Sequence, residues 1–466
     1  MYIFNVHDIP FRNFIRPLLI SVLAAGVLFL LFLLLVRRKN TAALMTSAVL
    51  FMFYFYYNGW ILLPIKKTHT QAMIFPIFWA LSTLIIILWL GQDRRASLNV
   101  NTTAGVNLMA IILLLFPAMQ GIRYYIVKML PFTPQVSHVI EGKPPQSLPD
   151  MYYIILDGYP RADVLMDEYG YDNSEFIQAL RDLGFYVAEC SQSNYSNTGP
   201  SLTSSLNLDY LQTLSDTIRP EEDDLLDLFK MLDDNAVQAS VSNMGYKTIS
   251  FASGFLWAEW RDADVFIAPP DGPMTEFETT VLLSSYARTL NDLGNVNFAD
   301  IHAERFRART QLVLGSFDKL APAPGPKFVF IHLIVPHAPF AFDENGNPVA
   351  PGLVPPKEGY LTQVKFINKF ILPGLKTLIE KSTIPPVIIL QGDHGPLQKD
   401  LQMKILNAYY LPDGAEALYP SISPVNSFRV VFNKYFSTKF PLLEDISYYS
   451  DGRKFNFSVI PNTCPQ

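Results

Sequence analysis

Four long apolar runs fill the first 128 of the 466 residues, and they constrain this chain more than any other feature. Pro17–Val36 is nearly all Leu, Ile, Val, Ala and Phe and is closed by Arg37, Arg38 and Lys39. Ala42–Ile65 contains Phe53, Tyr54, Phe55, Tyr56, Tyr57 and Trp60, aromatics of the kind that collect at a membrane interface, and meets Lys66 and Lys67. Ala72–Leu90 meets Arg94 and Arg95, and a fourth run extends from Ala104 to about Ile126, broken near its end by Gly121 and Arg123. About 20 helical residues cross the hydrocarbon of a bilayer. The alternative, an all-apolar bundle buried inside a soluble protein, does not explain four such runs in succession, each bordered by charge. The reading is a membrane domain of about four transmembrane helices over residues 1–128.

Charge separates this region from the rest. Residues 1–128 carry eleven Lys/Arg and two Asp/Glu, and the remainder carries 25 and 40. Only 17% of the whole chain is charged, against about 25% in soluble proteins, and the deficit belongs mainly to the apolar part. The acidic remainder excludes a nucleic-acid footprint, which needs a basic patch. If the loops Arg37–Asn40 and Asp93–Ala96 are cytoplasmic, their five basic residues satisfy the positive-inside rule and both termini lie outside. Lys66, Lys67, Arg12 and Arg16 then stand on the outer side and weaken that preference. The expectation is a multi-pass protein of the cell (inner, cytoplasmic) membrane with its distal domain on the extracytoplasmic side.

Met129–Asp150 contains Pro131, Pro134, Pro144, Pro145 and Pro149, the composition of a semi-rigid spacer, so residues 129–150 read as a linker. Two cysteines, Cys190 and Cys464, are too few for a disulfide framework, and sequence alone leaves their pairing open.

From 151 to 466 the pattern becomes short apolar, β-prone runs separated by helical ones. Met151–Leu156, Tyr246–Phe251, Lys327–Ile334 and Pro386–Leu390 are expected as buried strands. Asn173–Leu183, Glu222–Met231, Glu276–Leu290 and Asp300–Leu320 are expected as helices, with Asn426–Phe436 a further helix in the core. Such alternation predicts an α/β domain, a mostly parallel sheet covered by helices.

Chemistry in such sheets gathers at the carboxyl ends of strands. The first expected strand runs into Asp157-Gly158, the third into His332 and His337, and the last into Asp393-His394-Gly395. Singly, each has a bland reading: Asp-Gly is a turn, His332 a core histidine. Together they bring two carboxylates and up to three imidazoles to one edge. Mixed O and N ligands suit one divalent ion, Zn²⁺ or Mn²⁺, rather than Ca²⁺, with Asp157, Asp393 and His394 as three ligands and a reacting oxygen as the fourth.

The hydroxyl-rich segment Ser191–Ser205 supplies candidates for that oxygen. Pro200 suits the first turn of a helix, which places Thr198 at the helix N-terminus, where free N–H groups favour an anion. Thr198 there is either a cap or a nucleophile and metal ligand that takes up a phosphoryl group covalently. His337, in a loop between Pro336 and Pro339, is the candidate phosphate ligand or general acid. Trp257 and Arg261, with Trp260 between them, follow the second expected strand and are either a head-group pocket or ordinary packing; His332 is a further candidate for substrate binding.

In this order, Asp157, the Thr198 segment, the His332/His337 pair and Asp393-His394 resemble the alkaline phosphatase superfamily. The branch is the one holding sulfatases and membrane-anchored phosphoethanolamine and phosphoglycerol (lipoteichoic acid synthase-like) transferases. The resemblance extends from about Asp150 to the end. Thr198-Gly-Pro-Ser201 falls where those transferases have a nucleophilic Thr followed three places on by Ser, and His332 and His337 match their His-x4-His-x-Pro spacing. Two departures stand out: Asp157 replaces a Glu of the transferases, as in sulfatases and phosphodiesterases, and four membrane helices replace the usual five. Against the sulfatase pattern, Thr198 cannot become formylglycine and Leu202 stands in place of Arg. No His follows His394, which favours a single metal.

The resemblance implies an alkaline-phosphatase-like catalytic domain over 151–466. It would move a phospho-substituent from a membrane lipid donor to a glycan, lipid or polymer acceptor through phospho-Thr198. The alternatives are a sulfatase-like hydrolase or phosphodiesterase, and a membrane scaffold without activity.

Overall fold

The computed structural model describes residues 11–62, 69–92, 100–129 and 148–464, the last stretch interrupted at 217, 220–224, 271, 273, 295–297, 351–353, 397–398, 413, 451–454 and 463. Residues 130–147, which hold most of the Pro-rich linker, and Lys66, Lys67, Arg94 and Arg95 lie outside the described residues. The chain opens with helices α1 (Phe11–Val36), α2 (Lys39–Leu62), α3 (His69–Gln92) and α4 (Val100–Met129). There follow β1 (Met151–Leu156), α5 (Ala162–Tyr169), α6 (Ser174–Asp182), β2 (Tyr186–Val187), α7 (Thr198–Leu206), α8 (Leu211–Leu214), α9 (Leu226–Asp233), α10 (Ala236–Asn243), β3 (Lys247–Phe251) and β4 (Val265–Ile267). Helices α11 (Glu276–Ser284), α12 (Arg288–Asp292), α13 (Phe298–Leu314) and α14 (Phe317–Leu320) lead to β5 (Lys327–Leu333), and α15 (Pro356–Lys381) leads to β6 (Val387–Gly392). The chain ends with α16 (Lys399–Met403), β7 (Asn407–Tyr410), α17 (Pro424–Phe436), β8 (Ser447–Tyr449) and β9 (Ser458–Ile460). It divides into two compact units, Met1–Met129 with Asp271–His302, and Leu130–Pro270 with Ala303–Gln466.

In the first unit, α1, α3 over Ile74–Gln92 and α4 over Asn107–Ile126 are long and apolar enough to cross a membrane. Helix α2 is long enough, but its three tyrosines, two asparagines and two threonines lower its hydropathy, so by length and composition the described residues supply three spans where the sequence suggests about four. Leu34, Leu35 and Leu114 stand exposed, as expected of side chains whose solvent is acyl chain.

Asp271–His302 groups with this unit, although it lies inside the span 151–466 expected as the catalytic domain. The reason lies in its side chains. Phe277 packs with Phe14 and Tyr124. Glu278 closes a capping box with Thr275 at the start of α11 and forms an ion pair with Arg16. The Tyr286 N–H donates to Phe53 O (2.8 Å), its hydroxyl donates to Pro76 O (3.2 Å), and Arg288 lies over the Tyr57 ring at 4.4 Å. These contacts use the N-terminal halves of α1 and α3 and the C-terminal halves of α2 and α4, the end of the helices opposite Arg37 and Arg38.

The second unit is built on a seven-stranded sheet of order β2-β7-β6-β1-β5-β3-β4. β1 runs parallel to both β5 and β6, and β3 parallel to β5 and β4; β7 is antiparallel to β6 and to β2. All six residues of β1 are buried because both faces are covered. Tyr152, Ile154 and Leu156 enter one apolar core, and Met151, Tyr153 and Ile155 enter the other. This is the near-continuous apolar run expected of a central parallel strand. β5 and β6 flank β1 on opposite sides, so the crevice outside the carboxyl end of β1 is a switch point of the kind where ligands bind in α/β sheets.

The described cysteines pair: Cys190 and Cys464 form a disulfide that closes a loop across 274 positions and pins the C-terminal end to the β2–α7 connection. Replacing Cys464 by Ser is expected to lower the unfolding free energy by about 2–5 kcal/mol. Urea unfolding of the two proteins measures this, and identical midpoints would refute it.

Candidate metal and nucleophile site

The site begins with three turns. Asp157 follows β1, and Gly158 comes next at φ +73°, a left-handed conformation that suits glycine. Its N–H donates to Asp393 Oδ1 (2.9 Å), and its carbonyl accepts from the buried Tyr360 hydroxyl (2.7 Å). The β1 turn is thereby held from both sides. Asp393-His394 follows β6 between two glycines needed for close approach. A Cβ on Gly392 would lie 2.2 Å from Tyr159 O, and one on Gly395 would lie 2.5 Å from Leu401 O. The third turn opens α7, where Thr198 is the first helical residue after Asn197.

These turns converge. His394 Nε2 lies 3.7 Å from Asp157 Oδ1, 3.6 Å from Asp393 Oδ2 and 3.3 Å from Thr198 Oγ1. Asp157, Asp393 and His394 can each offer an atom to one ion. The other ligand-side atoms are already committed. Asp157 Oδ2 accepts from His332 Nε2 (3.2 Å), Asp393 Oδ1 holds Gly158, and His394 Nδ1–H donates to Gly395 O (2.8 Å). In the neutral ring that bond leaves the Nε2 lone pair facing the cluster.

Asp157 Oδ1 and Asp393 Oδ2 are buried and have no hydrogen-bond partner. Unpaired buried carboxylate oxygens are costly, and both face the same point. Tetrahedral ligands at about 2.1 Å from a Zn²⁺-sized ion stand about 3.4 Å apart, close to the three separations around His394 Nε2. The donor set therefore fits one divalent cation.

The electrostatics agree. Burial pushes the Asp157 carboxyl upward, but the hydrogen bond and charge of His332, with the charges of His394 and His337, outweigh it and hold the pKa below its ordinary value. Burial works to lower His394, yet the charges of Asp393 and Asp157 and the bond to Gly395 raise it. Positive charge is favoured where the three side chains meet.

The remaining candidates divide. His332 is buried against Phe255 and reaches Asp157 from behind, so its geometry is that of an orienting partner rather than of a side chain open to substrate. The His337 ring is exposed at the rim; its backbone N–H donates to Asp157 O (3.2 Å) and its Nδ1–H to Ala338 O (2.9 Å). Trp257 flanks α7, 3.6 Å from where a Gly199 Cβ would stand, but Phe229 and Phe255 stack on it and leave chiefly its edge. Arg261 is not brought to the cluster: it pairs with Glu259 (2.9 Å) and lies over Phe266, on the edge strand β4. Trp260 is core, stacked on Phe328 and Phe330. Tyr360 and Gly392 were not legible as site residues. Tyr360 sits in a helix with no motif around it, and the need for Gly392 arises from a backbone 233 positions away.

No family model matches the sequence, and no curated protein matches it significantly. Among solved structures, the chain is similar to the C-terminal periplasmic domain of EcEptC from Escherichia coli (13% identity, TM-score 0.46, covering 71% of this chain and 96% of that one). It is also similar to the integral membrane protein lipooligosaccharide phosphoethanolamine transferase A from Neisseria meningitidis (14% identity, TM-score 0.45, 93% and 86%). A putative sulfatase from Bacteroides thetaiotaomicron VPI-5482 aligns at 11% identity with TM-score 0.39, over 63% of this chain and 72% of that one. The solved structures to which this chain is similar thus include both phosphoethanolamine transferases and sulfatases.

Proposed function

We propose that the chain is a membrane-anchored, metal-dependent transferase. It moves a phosphoethanolamine- or phosphoglycerol-type substituent from a lipid donor to a glycan, lipid or polymer acceptor outside the cytoplasmic membrane. The observation that carries this reading is the convergence of Thr198 Oγ1 with His394 Nε2 and two unpaired carboxylate oxygens. Asp157, Asp393, His394 and Thr198 would hold one divalent ion, Zn²⁺ or Mn²⁺. When bound, that ion supplies Lewis-acid charge stabilisation and a more acidic Thr198 hydroxyl.

In the first half-reaction, Thr198 Oγ1 forms a bond to phosphorus and gives its proton to water, and the bond from phosphorus to the lipid glycerol oxygen breaks. His337, exposed at the rim, gives that oxygen its proton, and diacylglycerol leaves. In the second, an acceptor hydroxyl oxygen bonds to phosphorus as its proton passes back to His337, and the bond from phosphorus to Thr198 Oγ1 breaks, Oγ1 taking a proton back from water. The first-turn N–H groups of α7 face the phosphoryl oxygens as they gather charge. The apolar helices favour a lipid donor, and the disulfide favours an oxidising, extracytoplasmic compartment. Asp157 in place of Glu favours water as the rival acceptor, the hydrolase reading.

The test uses the full chain in vesicles of phosphatidylethanolamine and phosphatidylglycerol with Zn²⁺ or Mn²⁺. The expected result is diacylglycerol release and a phospho-substituent on the peptide containing Thr198 by mass spectrometry. Release of the free phospho-head group alone selects the hydrolase. Neither product with either ion leaves a scaffold and overturns the proposal.

A further inference from the structure

We propose, resting on the reading above, that Ser201 is a positioning residue that sets where Thr198 stands relative to the metal ligands. Thr198 Oγ1 lies 3.3 Å from His394 Nε2, yet the two residues belong to segments 196 positions apart. Something must hold α7 against the turn after β6, because misplacing a reacting group by about 1 Å costs about 100-fold in rate.

Ser201 lies three residues after Thr198, hence on the same face of α7, one turn below it. It is 1% exposed, and its hydroxyl donates to the Asp393 carbonyl at 2.7 Å. A serine buried in a helix usually spends its hydroxyl on a carbonyl three or four residues back, as Ser205 does with Leu202 (3.2 Å). Ser204 bonds Asp209 O (2.7 Å), and Thr203 lies 3.5 Å from Leu228 O. Among the described hydroxyls of α7, Ser201 alone joins the helix to the backbone of a candidate ligand.

The opposite side of the same turn is braced independently. Gly395 N–H donates to Gln402 O (2.6 Å), and Gln402 Nε2 donates to Ser196 O (2.6 Å), two residues before Thr198. The Asp393–Gly395 turn is thus tied to the chain on both sides of Thr198. Ser201 provides the tie on the helix side, in line with the nucleophile.

The test compares the full chain with Ser201→Ala, Ser201→Thr, Thr198→Ala and Ser204→Ala, each loaded with Co²⁺ as a spectroscopic probe and checked by thermal melting. Ser201→Ala is expected to bind one Co²⁺ but to show a visible absorption spectrum shifted toward that of Thr198→Ala. With the lipid vesicles, its rate of Thr198 modification is expected to fall about 10–100-fold at unchanged donor KM. Ser201→Thr, which keeps the hydroxyl, returns the wild-type spectrum, and Ser204→Ala leaves spectrum and rate unchanged. A folded Ser201→Ala with the wild-type spectrum overturns the proposal, as does one that binds no Co²⁺. If the wild type is never modified on Thr198, the transferase reading fails, and the cobalt spectra still decide the role of Ser201.

Discussion

Asp393→Asn is expected to abolish activity while leaving the metal-free protein at least as stable as the wild type. The amide keeps Oδ1 as the acceptor for the Gly158 N–H, so the turn retains its bond. At the other position it replaces an unpartnered, fully buried carboxylate oxygen beside Asp157 with a neutral group. Without an ion, two buried carboxylates converge on one imidazole, an arrangement kept at the expense of stability. Neutralising one of them should raise the stability of the metal-free protein by about 1–2 kcal/mol, or several degrees in Tm.

The same change removes a charged candidate ligand. Losing a few kcal/mol of transition-state stabilisation corresponds to about 10³-fold or more in kcat/KM. Metal content by elemental analysis, melting of chelator-treated protein and the vesicle assay measure the three quantities. A variant that keeps both its metal and its activity would exclude Asp393 as a ligand. One that melts well below the wild type when both are metal-free would show that the carboxylate is structural.

A second large effect is expected from cutting the chain between its units. A protein beginning at Leu148, without α1–α4, keeps Asp271–His302 but removes the side chains of α1–α4 that this segment contacts. Phe277 would lose Phe14 and Tyr124, Glu278 would lose Arg16, and Tyr286 would lose Phe53 and Pro76. An uncovered apolar patch of this kind drives association. The truncated chain is therefore expected to form soluble aggregates or to require detergent. The same chain with Met274–Leu293 replaced by a Gly/Ser stretch of equal length is expected to be monomeric and to bind metal. Size-exclusion chromatography with light scattering checks this, and a monodisperse native truncation in the absence of detergent would refute it. The prediction follows from covalent topology: the chain leaves the α/β unit at Pro270 and re-enters it at Ala303.

The expected long strands were legible for a simple reason. Met151–Leu156, Lys327–Ile334 and Pro386–Leu390 lie in the middle of a sheet covered on both faces, and burial on both faces demands uninterrupted apolar residues. β2, β4 and β7 were not legible, because they have two to four residues each and sit at or near the sheet edge, where no such demand applies. α15 was missed because Gly359, Pro373 and Gly374 break its pattern, although Gly374 is where Phe317 packs closest.

Asp157, Asp393 and His394 could be singled out because each follows a strand that the residues themselves announced, and Thr198 because Pro200 announced a helix start. Sequence by itself determined the division into an apolar helical part and an acidic α/β part, since both follow from residue type and period along the chain. Tertiary structure alone decided that His332 supports Asp157 from behind, that Arg261 turns away to Glu259, that Ser201 and Tyr360 brace the site, and that Asp271–His302 packs with the membrane helices. The Arg261 pair is local, two residues apart; the other three share one physical reason, that each depends on a contact made across the fold, and a pattern read along one chain holds no record of which distant residue a side chain will meet.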